Sequence, residues 1–224
     1  MPLIYTDTRL CDVVRQEPSV IPVINRFGVD LGVGDYSIHD VCRSNGIDED
    51  FFLAILNTFI NENYFPEKTL RSFNVGELVG YMAKTNAYYS HFQLPNIERH
   101  FNLLLKSAND ANSNLELMLR FFEGLKQDLL DRIALDDNEL FPAIMAGRGI
   151  SADSRAVGLD SVIEDKLGDL KSMFIKHLAG RYDQNLCYGV VVAIVTLEKD
   201  MRQNNRIRRH ILLPLVSVNP GLDL

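Results

Sequence analysis

Between residues 113 and 145 the chain places Leu115, Leu119, Phe122, Leu125, Leu129, Ile133 and Leu140 at intervals of three, four or seven. That spacing lays them along one face of an α-helix, which repeats every 3.6 residues, and fits no strand, which alternates every two. Three further stretches read as long helices: Val75 to Ser107, Ala156 to Ala179 and Asn185 to Val216. Pro95 lies inside the first and is expected to bend or break it, because proline removes a backbone donor. Four long apolar stripes joined by short connections bury themselves most simply as an up-down-up-down four-helix bundle, placed here at residues 74–218. In that topology the second and fourth helices run parallel.

The first 60 residues read as a small helical domain. Ser37 is a suitable N-cap for IHDVCRSNG, and Gly46 is its stop. Asp48 then opens a helix with Phe51, Ile55 and Phe59 on one stripe. Residues 61–73, NENYFPEKTLRSF, lose the apolar period around Pro66 and read as a linker.

The start, MPLIYTDTRLCDVV, lacks a basic segment followed by an apolar run, so no secretory leader is expected. The most apolar segment, CYGVVVAIVTLEKDM, meets charge after about ten residues, short of the ~20 that span a bilayer. It reads as a core helix. Cys11, Cys42 and Cys187 form no CxxC pair and are odd in number, which points away from a disulfide framework and toward a cytoplasmic chain. A net charge of −7 argues against a general nucleic-acid binder. The basic residues Arg202, Arg206, Arg208, Arg209 and His210 are spread around their helix rather than along one stripe. GVGD at 32–35 lacks the Lys-Ser/Thr of a phosphate loop.

Two stretches echo each other. Asp136 to Ile144 reads DDNELFPAI and Arg208 to Val216 reads RRHILLPLV, an offset of 72 with opposite charges at matching positions. With the second and fourth helices parallel, both fall at the same end of the bundle, and the offset suggests a helix-pair unit used twice. With TNAYYSHFQLPNI in the first helix and CDVVRQEPSVIPVINRFGVDLGVGDYSIHDVC near the start, they make the chain resemble the iron-sulfur cluster repair (repair of iron centres) family. That resemblance implies an all-α protein with a small N-terminal helical domain followed by a hemerythrin-like four-helix bundle. It also implies a di-iron cofactor held by His-x-x-x-Glu pairs.

The residues at the family's ligand positions differ. Gly32 and Val33 stand where the family has a Cys-Cys pair. Ala87, and the region of Ala108 and Asn109, stand where histidines are expected. The second helix offers Arg132-x-x-x-Asp136, the third Ile163-Glu164-Asp165 with Gly168 setting the register, and the fourth Asn204-x-x-x-Arg208. Only Asp136 and Glu164 keep a ligand atom. A guanidinium stays protonated and offers no lone pair. Hence no metal and no cofactor is expected, and ion pairs among Arg132, Asp136, Glu164 and Arg208 are expected in their place. The competing reading leaves Asp136, Asp137, Glu164, Arg208 and Arg209 solvated.

His91 could hold a shifted metal with Glu164, Asp128 or Asp200, whereas His100, His177 and His210 read as helix-surface residues and His39 as part of a first turn. Cys11 and Cys42 could replace the lost thiols, but half-buried structural cysteine is the plainer reading. The expected role is a non-catalytic interaction or regulatory protein in a stress response, engaging a paralogue or other protein partner. Membrane is not expected as a partner, and an oligomer is left open. The alternatives are an active di-iron protein for iron-sulfur repair or nitric-oxide response, and a bundle binding a small ligand in a cavity lined by Ala87 and Asn204.

Overall fold

The computed structural model describes residues 2–108, 113–149 and 159–216. It is built of helices, and among the described residues there is no strand, only an isolated bridge between Arg9 and Ser37. The chain divides into two compact units, Met1–Lys84 and Thr85–Leu224. No helix among the described residues is long and apolar enough to cross a membrane.

The first unit holds α1 (Leu10–Gln16), α2 (Ile21–Arg26), α3 (Ile38–Asn45), α4 (Glu49–Ile60) and α5 (Glu67–Ser72). Ser37 and Asp40 cap α3 reciprocally: the Ser37 hydroxyl accepts from the Asp40 amide, and the Asp40 carboxylate accepts from the Ser37 amide. Gly46 ends α3 in the left-handed region, φ 63°, where a side chain would be strained. Asp48 caps α4 by accepting from the Phe51 amide. Phe27 packs edge-on against Phe51 and Phe52, with ring centroids 5.6 and 4.9 Å away. Buried Asn57 pairs with both backbone groups of Ile4, at 2.8 and 2.9 Å, and so anchors the N-terminal segment.

Two sequence expectations change here. The stretch 61–73 is not a bare linker, because Glu67–Ser72 forms α5, with Leu70 fully buried. Helix α6 (Val75–Tyr88) also begins in the first unit and ends in the second, so the division falls at Lys84 rather than before residue 74. The expected end of the bundle at 218, the start of its third helix at Ala156, and Asn109 lie outside the described residues.

In the second unit the end of α6 continues through a wide turn into α7 (Leu94–Ser107), followed by α8 (Ser113–Leu135), α9 (Phe141–Met145), α10 (Leu159–His177), α11 (Gln184–Ile207) and α12 (Leu213–Val216). Neighbouring long helices run antiparallel. Glu98 meets Lys126 across α7 and α8, and Asp128 meets Lys166 across α8 and α10. Lys171 meets Glu198 across α10 and α11, and Gln93 donates to the Ala193 carbonyl between the start of α7 and α11. Helices α8 and α11 are therefore parallel. Their inward stripes, Leu115, Phe122, Leu125 and Leu129 on α8 and Val190, Ile194, Leu197 and Met201 on α11, are all 0–1% exposed. The ring of Phe101 stacks on Phe122 at 5.9 Å and meets Phe174 edge-on at 5.2 Å.

Three π-helical turns interrupt these helices: Tyr89–Gln93, Asp136–Leu140 and Arg208–Leu212. In each, the next amide reaches back five residues, Leu94 to Tyr89, Phe141 to Asp136 and Leu213 to Arg208. Each is followed by a proline: Pro95, Pro142 or Pro214. A proline ring inside a regular α-helix strikes the carbonyl four residues back. A turn with one extra residue moves that carbonyl aside. Where Pro95 was expected to bend or break the helix, the structure has the π-helical turn Tyr89–Gln93, through which α6 runs on into α7.

Candidate functional site

The first residue of each wide turn is fully buried and polar: Tyr89, Asp136 and Arg208. Around them lies a polar layer containing Asn86, Arg132, Asp160, Asn204 and Asn205, all at most 3% exposed. At its centre two arginines and two aspartates alternate. Arg208 donates from Nε and Nη2 to Asp136 Oδ1 at 3.0 and 2.8 Å, and from Nη1 to Asp160 Oδ2 at 3.0 Å. Arg132 Nη1 stands 3.5 Å from Asp160 Oδ1 and 3.6 Å from Asp136 Oδ2. The four side chains close a ring of zero net charge in a place where a lone charge would be severely penalised.

The ring is unevenly tied. Arg208 has the short contacts. Burial works to lower the pKa of its guanidinium, but the charges of Asp136 and Asp160, and their hydrogen bonds, outweigh it and raise the pKa above its ordinary value. Arg132 is held more loosely, donating to Asn86 Oδ1 and Asn205 Oδ1 at 3.3 Å each. Its Nε and the Asp136 Oδ2 are buried without a hydrogen-bond partner.

Sequence reading placed Arg132, Asp136 and Arg208 here, and the structure brings them together. The burial of Asp136 and Arg208 is at odds with the solvated reading for these two, which does describe Asp137 and Arg209, both exposed. Glu164 is a correction. It lies outside the ring, accepts from Asn205 Nδ2 at 2.8 Å and pairs with Arg209. The second carboxylate is Asp160, one turn earlier, because antiparallel pairing sets it level with Arg132. Asn205 joins inner ring and outer pair, since its Oδ1 accepts from Arg132 while its Nδ2 donates to Glu164.

Ala87 is a second correction: it is exposed, and Asn86 points inward. Seven residues make two α-turns, so counting back seven from Leu94 lands on Ala87. The wide turn between them takes up one residue more and moves the inward position to Asn86. Ala87 and Asn204 therefore do not line one cavity. Asn204 is buried, donating to Tyr89 Oη at 3.0 Å and to Asp200 Oδ1 at 2.8 Å.

The shifted metal site does not assemble either. His91 is exposed, Asp128 pairs with Lys166, and Asp200 accepts from Asn204. Among the described residues no three His, Cys, Asp or Glu side chains are grouped to hold a metal ion. A di-iron centre needs several oxygen and imidazole donors converging on two cations. Two guanidinium groups at that centre supply none and repel cations, so the residues present do not fit one.

The remaining candidates scatter. Arg202 pairs with Glu198, Arg206 donates to Gln203 and Arg209 pairs with Glu164, so the basic cluster is divided among separate partners. Cys42 is fully buried rather than half-buried. Burial, then the charges of Glu49 and Asp48, push its thiol up to about 11. Cys11 is half-buried beside Gly32 and Val33 in a shallow pocket of about 440 Å³, its Sγ 3.9 Å from Asp35 Oδ1. Gly32 has φ 98°, a backbone that a cysteine would adopt only under strain. Compared with known proteins, the chain matches no family model and no curated protein.

Proposed function

We propose that this chain is a hemerythrin-like relative of the iron-sulfur cluster repair family that works without iron, as a non-catalytic interaction or regulatory protein. The observation that carries the reading is the buried ring of Arg132, Asp136, Asp160 and Arg208. In the family this layer holds two cations on carboxylates and imidazoles. Here the positive charge is covalently part of the chain. A guanidinium has no redox chemistry and no open coordination position, so the layer can hold the helices but cannot activate a small molecule.

What such a bundle offers is surface, and the role that fits is engagement of a protein partner, a ligand-bearing paralogue among the options, in the stress setting of the family. Metal analysis of full-length protein expressed with ample iron tests the reading. The expected result is substoichiometric iron and no oxo-bridged absorption band. Two iron atoms per chain with that band would overturn it and restore the di-iron alternative.

A further inference from the structure

The first unit holds a cleft of about 360 Å³, within the range of roughly 300–1,000 Å³ typical of small-molecule sites. Three elements wall it: the end of α2, the turn from α3 to α4, and one face of α6. On α6 the lining residues are Glu77, Gly80, Tyr81 and Lys84, whose spacing of three, one and three keeps them on one face. A Cβ at Gly80 would meet no heavy atom within 4 Å, so this wall is open where a side chain would otherwise stand.

The charges that line the cleft are mixed. Arg26 is the buried one, 5% exposed; its Nη1 donates to the Tyr81 hydroxyl at 3.1 Å, and its guanidinium stands 5.8 Å from the centre of that ring. Lys84 and the carboxylates of Asp48 and Glu77 are exposed at the mouth. Among the described residues neither Glu77 nor Lys84 stands in an ion pair, so both charges can face a ligand. Phe27, Ile47 and Phe51 supply the apolar wall.

We infer that this cleft binds a free α-amino acid with an apolar side chain. The carboxylate pairs with Arg26, whose planar fork matches it, the ammonium with Asp48 and Glu77, and the side chain lies on Phe27 and Phe51. The mixture of charges selects the class. A ligand carrying only an anion meets Asp48 and Glu77, one carrying only a cation meets Arg26 and Lys84, and like charges disfavour both. A neutral apolar molecule would take the aromatic wall but strip water from charged groups without replacing it. A zwitterion beside an apolar body satisfies all of these walls. Every lining residue belongs to the first unit and none to the ring, so this binding is independent of the functional reading.

Titration of full-length protein with L-phenylalanine and with L-leucine, followed through amide shifts by NMR, gives the test. Saturable shifts are expected at lining residues such as Gly46, Ile47 and Gly80. Phenethylamine, which lacks the carboxylate, and hydrocinnamate, which lacks the ammonium, should each bind at least about 10-fold more weakly than L-phenylalanine. Gly80→Leu raises the helix propensity of α6 and fills the cleft, so the variant should keep the circular dichroism of the wild type and lose the shifts. No saturable shift with either amino acid at millimolar concentration, equal affinity for a singly charged analogue, or a folded Gly80→Leu variant that binds like wild type overturns the inference.

Discussion

Replacing Arg208 with methionine tests the ring most directly. The side chain makes three hydrogen bonds of 2.8–3.0 Å to two carboxylates that are at most 2% exposed. Without it, Asp136 and Asp160 share Arg132 alone, whose charged contacts are 3.5 and 3.6 Å. Removing one partner of a buried ion pair costs about 3–5 kcal/mol, a large part of a typical total of about 5–15 kcal/mol. Asp136→Leu with Arg208→Met leaves the neutral pair Arg132–Asp160, so the double variant should be less destabilised than the sum of the singles, by about 2 kcal/mol. Urea unfolding followed by circular dichroism near neutral pH reads the single variants and the double. A single-variant loss under about 1 kcal/mol, with additive singles, would refute the reasoning.

Three further outcomes are expected. Phe122→Ala, which removes the buried ring stacked on Phe101, should destabilise the bundle by about 3–5 kcal/mol in the same urea assay. The Asp40 carboxyl is held below its ordinary pKa, first by its hydrogen bonds with the Ser37 side chain and backbone, so its contribution is present above the unfolded pKa and lost as pH falls through the folded one. Ser37→Ala should raise the Asp40 pKa in an NMR titration and flatten the acid limb of stability in the first unit. Cys42, buried and with its thiol pushed up to about 11, should resist iodoacetamide near pH 8 in the folded protein while Cys11 is alkylated, as read by peptide mass spectrometry.

The helices were legible in the sequence because their stripes are long. Leu115 to Ile133 fixes α8 and its inward face without reference to anything distant. Asp136 and Arg208 were legible as a pair because they sit at matching places before Phe141-Pro142 and Leu213-Pro214 on parallel helices. Ala87 was misplaced because a wheel of 3.6 residues per turn holds only where every turn is α, and the Tyr89–Gln93 turn is not. Asp160 was missed because the level at which α10 meets α8 depends on the connection before it, which no periodicity encodes. The helix Glu67–Ser72 escaped notice because a six-residue helix anchored by one buried leucine, Leu70, leaves too short a pattern to stand out.

The offset of 72 has a further consequence. Asp136 and Arg208 hold matching places before Phe141-Pro142 and Leu213-Pro214, and they touch each other at 2.8 Å. Matching positions that meet inside a fold constrain each other's charge. If both carry a carboxylate they repel, unless a cation or a shared proton sits between them. If both carry a cation they repel, unless an anion does. Opposite charges at matching positions need neither, and that is the arrangement this chain adopts.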